Sequence, residues 1–164
     1  SEMFASSRPL FDVLEQDLLL CPRRRGPWSL DDVHRTLLGA SAADKVERWP
    51  VGLPVICGSN QPELGLANGD LGVVIGVGSE RRLLFQVVDA DGQVEVRRLH
   101  PARLRRLEPA VALTIHRAQG SEADRVIVLW PDPLEDGPAA ENQRRLLYTA
   151  ITRARVSLDL VTVI

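Results

Sequence analysis

The sequence predicts an α/β domain interrupted by a small antiparallel β-barrel. Two observations predict it, and a third makes it feasible. Short apolar runs towards both ends of the chain alternate with helical periodicity, as parallel βαβ units do. Between them, from about residue 52 to about residue 108, short apolar runs follow one another closely, with turns rich in Gly, Asn and Asp. A hydrophobic content of 45% in 164 residues lets such a chain build the core of one ordinary domain or of two small ones.

In chain order, Leu18, Leu19 and Leu20 form a first strand, ended by Cys21-Pro22. A basic loop follows and closes at Gly26-Pro27. Ser29 is a good helix N-cap, and Asp31 and Asp32 occupy the first turn, where the helix dipole favours acids. Leu30, Val33, Leu37 and Leu38 then share one helical face, and Gly39 closes the helix. Leu53 to Ile56, Leu71 to Val77, Leu83 to Val88 and Val94 to Leu99 read as four short strands. Their turns include Asn68-Gly69-Asp70 and Asp89-Ala90-Asp91-Gly92. Pro101 and Pro109 bracket the exit. Val111 to Ile115 is a strand, Val126 to Trp130 a β-branched strand, Glu141 to Arg153 a helix and Val156 to Val163 a last strand. The expected organisation is residues 1–50 and 109–164 in the α/β layer and 51–108 in the inserted barrel.

Composition excludes several classes. No apolar run approaches the ~20 residues that span a bilayer. Acids at Glu2 and Asp12 and the lack of a signal-peptide pattern leave the cytoplasm as the expected compartment. Cys21 and Cys57 stand apart with no Cys/His spacing suited to a metal, so both are expected as buried, reduced thiols and no metal site is expected. The net charge of −2 argues against a general nucleic-acid coat, although a local patch suffices for binding. Arginines cluster at 23–25 and again through Arg97, Arg98, Arg103, Arg105 and Arg106. Either cluster alone reads first as solvated surface.

Two segments carry candidate chemistry. Leu113-Thr-Ile-His-Arg-Ala-Gln-Gly-Ser-Glu122 gathers polar and charged side chains around Gly120 at the end of a predicted strand, where open α/β sheets place their ligands. Glu122 suits hydrogen bonds from a sugar hydroxyl. An ordinary polar connection would look the same. In Leu146-Leu-Tyr-Thr-Ala-Ile-Thr-Arg-Ala-Arg155, a helical wheel makes Leu146, Leu147, Ala150, Ile151 and Ala154 the buried stripe. Arg153 falls at its edge, and Arg155 and Arg144 lie opposite. An arginine placed like Arg153 either snorkels towards the helix C-terminus or reaches out to a phosphate, for which the bidentate guanidinium is suited.

Together these segments resemble a known family. Thr-Ile-His-Arg-Ala-Gln-Gly-Ser-Glu is similar to helicase motif V of the RecD group in superfamily 1, and Leu-Tyr-Thr-Ala-Ile-Thr-Arg-Ala-Arg resembles its motif VI. Gly52-Leu-Pro-Val-Ile, Asn60 and Leu64-Gly-Leu-Ala-Asn-Gly-Asp-Leu-Gly-Val74 resemble the family's entry into its SH3-like insert. Leu20-Cys-Pro-Arg-Arg-Arg-Gly-Pro-Trp28 resembles its upstream strand and loop. The resemblance is weakest over residues 1–15, 79–95 and 131–140. It implies part of a RecA-like P-loop NTPase domain, the second of two motor domains that bind ATP between them, with an inserted SH3-like barrel. It further implies that Arg153 is the arginine finger on the γ-phosphate and that Glu122 meets the ribose. Gln119 and Gly120 would shape the link between nucleotide and DNA sites. His116 and Thr114 would lie at the DNA strand, with Arg24 near its backbone.

No Gly-x-x-x-x-Gly-Lys-Ser/Thr occurs, and no acidic pair follows a strand where a Walker B would stand. ATP and Mg²⁺ are therefore expected to be held jointly with residues of a longer protein, of which this chain, opening Ser1-Glu2-Met3, reads as a fragment. The implied parent is a 5′ to 3′ single-stranded-DNA motor of exodeoxyribonuclease V, working with RecB-like and RecC-like subunits in double-strand break repair and recombination. A stand-alone RecD-like helicase, a relaxase-fused helicase and a non-enzymatic module whose barrel docks DNA or protein are the alternatives.

Overall fold

A computed structural model describes residues 2–43, 45–89, 91–133 and 137–162. In chain order the elements are α1 (Glu2–Leu14), β1 (Asp17–Cys21), α2 (Leu30–Leu38), β2 (Pro54–Cys57), β3 (Leu71–Ile75), β4 (Arg82–Val88), β5 (Val94–Leu99), β6 (Leu107–Pro109), β7 (Leu113–Thr114), β8 (Ala123–Trp130), α3 (Pro138–Ile151) and β9 (Ala154–Thr162). They form two compact units, one of Asp12–Leu37 with Ala112–Ile164, the other of Ser1–Phe11 with Leu38–Val111.

The first unit is built on a parallel sheet of order β7-β1-β8-β9. Leu20 is in register with Leu113, Leu18 with Val126, and Val126 with Leu158. β1 and β8 are central, which is why both read as near-continuous apolar runs. Leu20, Val126 and Val128 are fully buried. Leu19, Cys21 and Leu129 meet Leu30 and Val33 of α2 and Ala112 in one apolar cluster. Burial there pushes the Cys21 thiol up to about 11. The sequence-derived cap of α2 is in place, since Ser29 Oγ accepts the Asp32 N–H at 3.2 Å and Gly39 leaves the helix at φ +57°. The expected stripe needs correction at Leu37, which stays 57% exposed on the rim of an apolar groove shared with Trp28, Leu19, Leu129 and Val161. His34 is buried instead. An imidazole is tolerated there because Nε2 accepts the Ala112 N–H at 3.3 Å.

α3 packs on β8 and β9. It begins at Pro138, three residues before the expected start, because Gly137 at φ +85° turns the chain and proline suits the first helical position. It ends at Ile151, two residues before the expected end. Ile151 is 41% exposed rather than part of a closed stripe, and Leu146 and Leu147 are half-buried. β9 is an edge strand and exposed along most of its length. Val163, expected at its end, lies outside the described residues, as does Ala90 in its turn.

The second unit holds an antiparallel sheet of order β5-β4-β3-β2-β6. Val55, Cys57, Val74, Leu83, Phe85, Val87 and Leu99 form its core with Trp49, Leu53, Leu64 and Leu66. Gly72 pairs with Phe85, and a Cβ on it would stand 2.7 Å from the Leu84 carbonyl and 2.8 Å from the Phe85 ring. β6 ends on Pro109, which a sheet tolerates because β6 is at the edge. Among the described residues, Gln61 is the buried polar side chain of this unit. Its Nε2 donates to the Arg105 carbonyl at 3.0 Å and to Cys57 Sγ at 3.1 Å, and its Oε1 accepts the Arg105 N–H at 2.9 Å.

Candidate functional site

The strand expected over Val111 to Ile115 is reduced to Leu113–Thr114, because the polar segment behind it begins to coil at once. Thr114 Oγ1 accepts the Arg117 N–H at 3.3 Å, and the Thr114 carbonyl accepts the Ala118 N–H at 3.0 Å. A hydrogen-bonded turn follows, with Thr114 binding its first N–H groups in the manner of an N-cap. Gly120, at φ +88°, reverses the chain with open space where a Cβ would stand, so its glycine serves conformation, not close approach.

This segment runs from one end of the parallel sheet to the other. At its start the Ile115 N–H donates to the Cys21 carbonyl at the carboxyl end of β1. At its finish the Ala123 N–H donates to the Arg153 carbonyl at 3.0 Å, at the amino ends of β8 and β9. The traverse is the length of β1, ~13 Å at the usual rise per strand residue. The sequence-derived site residues thus fall into two groups. Thr114 is the last residue of β7 and His116 follows it, and the Arg24 loop leaves the carboxyl end of the adjacent β1. Gly120 leads to Glu122 and Arg153 at the opposite, amino-terminal end of the sheet. The expectation that the whole segment sits at a carboxyl end holds for its first half only, because the chain must return to start β8 parallel to β7.

Arg153 is anchored by neutral oxygens. Nε donates to the Thr149 carbonyl at 3.2 Å, Nη1 to the Ser121 carbonyl at 3.5 Å and Nη2 to Thr152 Oγ1 at 3.2 Å. Of the five N–H groups of a guanidinium, one on Nη1 and one on Nη2 have no partner among the described residues. Among the described residues no carboxylate pairs with it. Arg155 is different, since its Nε donates to Asp124 Oδ1 at 3.0 Å. Glu122 is exposed beside Ser121.

Between the capped turn and α3 lies a cleft of about 490 Å³, lined by His116, Gln119, Asn142, Gln143, Arg145, Leu146 and Thr149. Sequence reasoning selected His116 and Gln119 but missed the helix side. The signal was available, because Asn142, Arg145, Leu146 and Thr149 recur at i, i+3, i+4 and i+7. The structure does not bring Arg24 into this cleft. The Arg24 loop folds back on α2, its carbonyl accepting the Asp31 N–H at 3.1 Å and its Nε lying 3.9 Å from Asp31 Oδ1. Arg23 instead ties the loop to the segment after β8, with Nη1 3.0 Å from Asp132 Oδ2. Among the described residues no group of three or more His, Cys, Asp or Glu could hold a metal ion, and no helix is long and apolar enough to cross a membrane.

The UvrD-like helicase C-terminal domain family matches residues 109–161, which hold the turn, the cleft and Arg153. RecD, a RecBCD enzyme subunit of Mycolicibacterium smegmatis, is 34% identical over 163 residues, covering 97% of this chain. The chain belongs to the RecD family of helicases. It spans 27% of that relative's length. The ATP-dependent RecD2 DNA helicase of Deinococcus radiodurans is also 34% identical to this RecD-family chain, over 84% of it and 19% of the relative. The fold matches a Bacteroides Pif1 helicase solved with ADP-AlF3 and ssDNA at a TM-score of 0.55. Identity there is 16%, over 95% of this chain and 45% of that one. The α/β layer is therefore of the RecA-like helicase kind.

Proposed function

We propose that this chain is part of the second motor domain of an ATP-driven 5′ to 3′ DNA helicase, the RecD subunit of an exodeoxyribonuclease V acting in double-strand break repair and recombination. The observation that carries the reading is the state of Arg153. Its charge is held in place at the end of α3, no described carboxylate neutralises it, and two N–H groups remain for an oxyanion. That is what a γ-phosphate in transfer requires, since negative charge develops on its oxygens.

Glu122 would take the ribose, and Gln119 and Gly120 would link that end of the sheet to the DNA end. His116 and Thr114 would meet the single strand, with Arg24 beside its backbone. ATP with Mg²⁺ supplies the phosphoryl group and its counter-charge. The phosphate loop and metal ligands belong to residues that this chain does not carry. The antiparallel unit is read as the SH3-like insert of the motor domain. RecB-like and RecC-like subunits are the proposed partners and the cytoplasm the proposed compartment. The match to the RecBCD subunit covers more of the chain than the match to the RecD2 helicase, which favours the complex over the stand-alone reading.

The test is steady-state ATPase of the full-length helicase with saturating single-stranded DNA. Arg153→Ala should lower turnover on the order of 10³-fold or more with nucleotide binding nearly intact. Near-normal turnover returns Arg153 to the role of a helix-end cap.

A further inference from the structure

The three anchors of Arg153 differ in kind. Two are backbone carbonyls, of Thr149 and Ser121, which no side-chain substitution removes. The third is a side chain, Thr152 Oγ1, on Nη2 at 3.2 Å. The same hydroxyl donates its own proton to the Thr149 carbonyl at 3.0 Å. Thr149 O therefore receives both Arg153 Nε and Thr152 Oγ1, and a closed ring of hydrogen bonds ties the guanidinium plane to the last turn of α3. The ring fixes both the position and the tilt of the plane. It does so with neutral atoms, so the full positive charge remains, whereas a carboxylate in the same place would cancel it.

We propose that Thr152 is a positioning residue for Arg153: its hydroxyl orients the unengaged Nη1 and Nη2 edge towards the phosphoryl group without neutralising it. The inference rests on the reading of Arg153 as the phosphate-facing arginine. Without the hydroxyl, Nη2 loses an acceptor and the plane can swing about the Nε and Nη1 contacts. Misplacement of a reacting-centre group by about 1 Å can cost on the order of 10²-fold in rate. Where the edge meets charge that develops only in the transition state, the loss falls on turnover and not on binding.

The experiment uses the full-length helicase with saturating single-stranded DNA and compares Thr152→Val, Thr152→Ser and Arg153→Ala. Thr152→Val keeps the shape and removes the hydroxyl. Its kcat should fall about 10- to 100-fold, with KM for ATP and the affinity for a non-hydrolysable ATP analogue changed less than about 3-fold. Thr152→Ser restores the hydroxyl and should return kcat to within about 3-fold of the parent. A role confined to capping α3 would lower the melting temperature of Thr152→Val and leave kcat per folded molecule unchanged, which overturns the proposal. A loss of kcat that serine does not restore overturns it too. If Arg153→Ala retains its turnover, the underlying reading fails. If Arg153→Ala is inactive and Thr152→Val is normal, only the positioning role fails.

Discussion

Arg155 donates from Nε to Asp124 Oδ1 at 3.0 Å, and its Nη2 lies 3.9 Å from Glu15 Oε2. Two residues earlier, Arg153 touches neutral oxygens. One Thr-Arg-Ala-Arg run thus holds a neutralised arginine and a charge kept in reserve. The helical wheel separates them in sequence, and the partners separate them in space.

That contrast sets the first prediction. Arg155→Ala removes a solvent-exposed ion pair, so it should cost about 0.2–1 kcal/mol of stability. ATPase turnover should stay within about 3-fold of the parent, against the ~10³-fold loss for Arg153→Ala. Arg153→Lys should also fail badly, since an ammonium cannot reproduce the planar fork. Equal losses at the two positions would remove the distinction.

Gln61 provides a second. Gln61→Leu leaves the Arg105 N–H and carbonyl without their side-chain partners in a part-buried place, at about 1–3 kcal/mol for each group so stranded. Urea unfolding should show a lower midpoint and an unchanged slope. A midpoint within error of the parent would mean that water replaces the amide.

Gly72 is the third. Gly72→Ala forces a methyl against the Leu84 carbonyl and the Phe85 ring, and overpacking of this kind costs roughly 1–3 kcal/mol. Gly120→Ala meets no atoms and carries only the positive-φ penalty of about 1–2 kcal/mol. Thermal melts of both variants test the order, which a larger loss at Gly120 would reverse.

Cys21 gives the pH dependence. The folded thiol titrates at about 11 against an ordinary 9.0, so above pH 9 the unfolded chain releases a proton that the folded one keeps. The unfolded state then binds fewer protons, and stability falls as pH rises from 9 to about 11. The loss reaches roughly 2–3 kcal/mol at most, since each unit is worth about 1.4. Melting curves of the parent and Cys21→Ala should diverge in their pH slopes within that window. Parallel slopes would contradict the burial effect. Below pH 9 the native thiol should also resist alkylation.

The sequence displayed the central strands plainly. β1 and β8 are central in the sheet and buried or half-buried over Leu18–Cys21 and Val126–Trp130, so apolar residues run without a break there, and β4 and β5 are bounded by turn residues that fix their ends. Three features were hidden for different reasons. α1 contains Pro9, which argues against a helix interior on local grounds. β6 is three residues ending in proline, short enough to pass for a connection. The cleft side of α3 is hidden because apolar periodicity marks only the packed face, while Asn142, Arg145 and Thr149 carry a polar stripe. For the site, the motif resemblance singled out His116, Gln119 and Arg153, but only the folded chain shows that His116 and Gln119 line the cleft beside α3 while Arg153 stands where β8 and β9 begin. Arg24 is close to Asp31, a partner that spacing alone does not reveal.

The traverse from Ile115 to Ala123 has a thermodynamic consequence. It is hydrogen-bonded at both ends, to Cys21 and to Arg153, so on the proposed reading one continuous backbone joins the DNA end to the nucleotide end. If single-stranded DNA at the His116 end tightens nucleotide binding at the Arg153 end by some factor, nucleotide must tighten DNA binding by that same factor. On that reading, lengthening the traverse by one glycine would keep every side chain at both ends and drive the two factors together towards one.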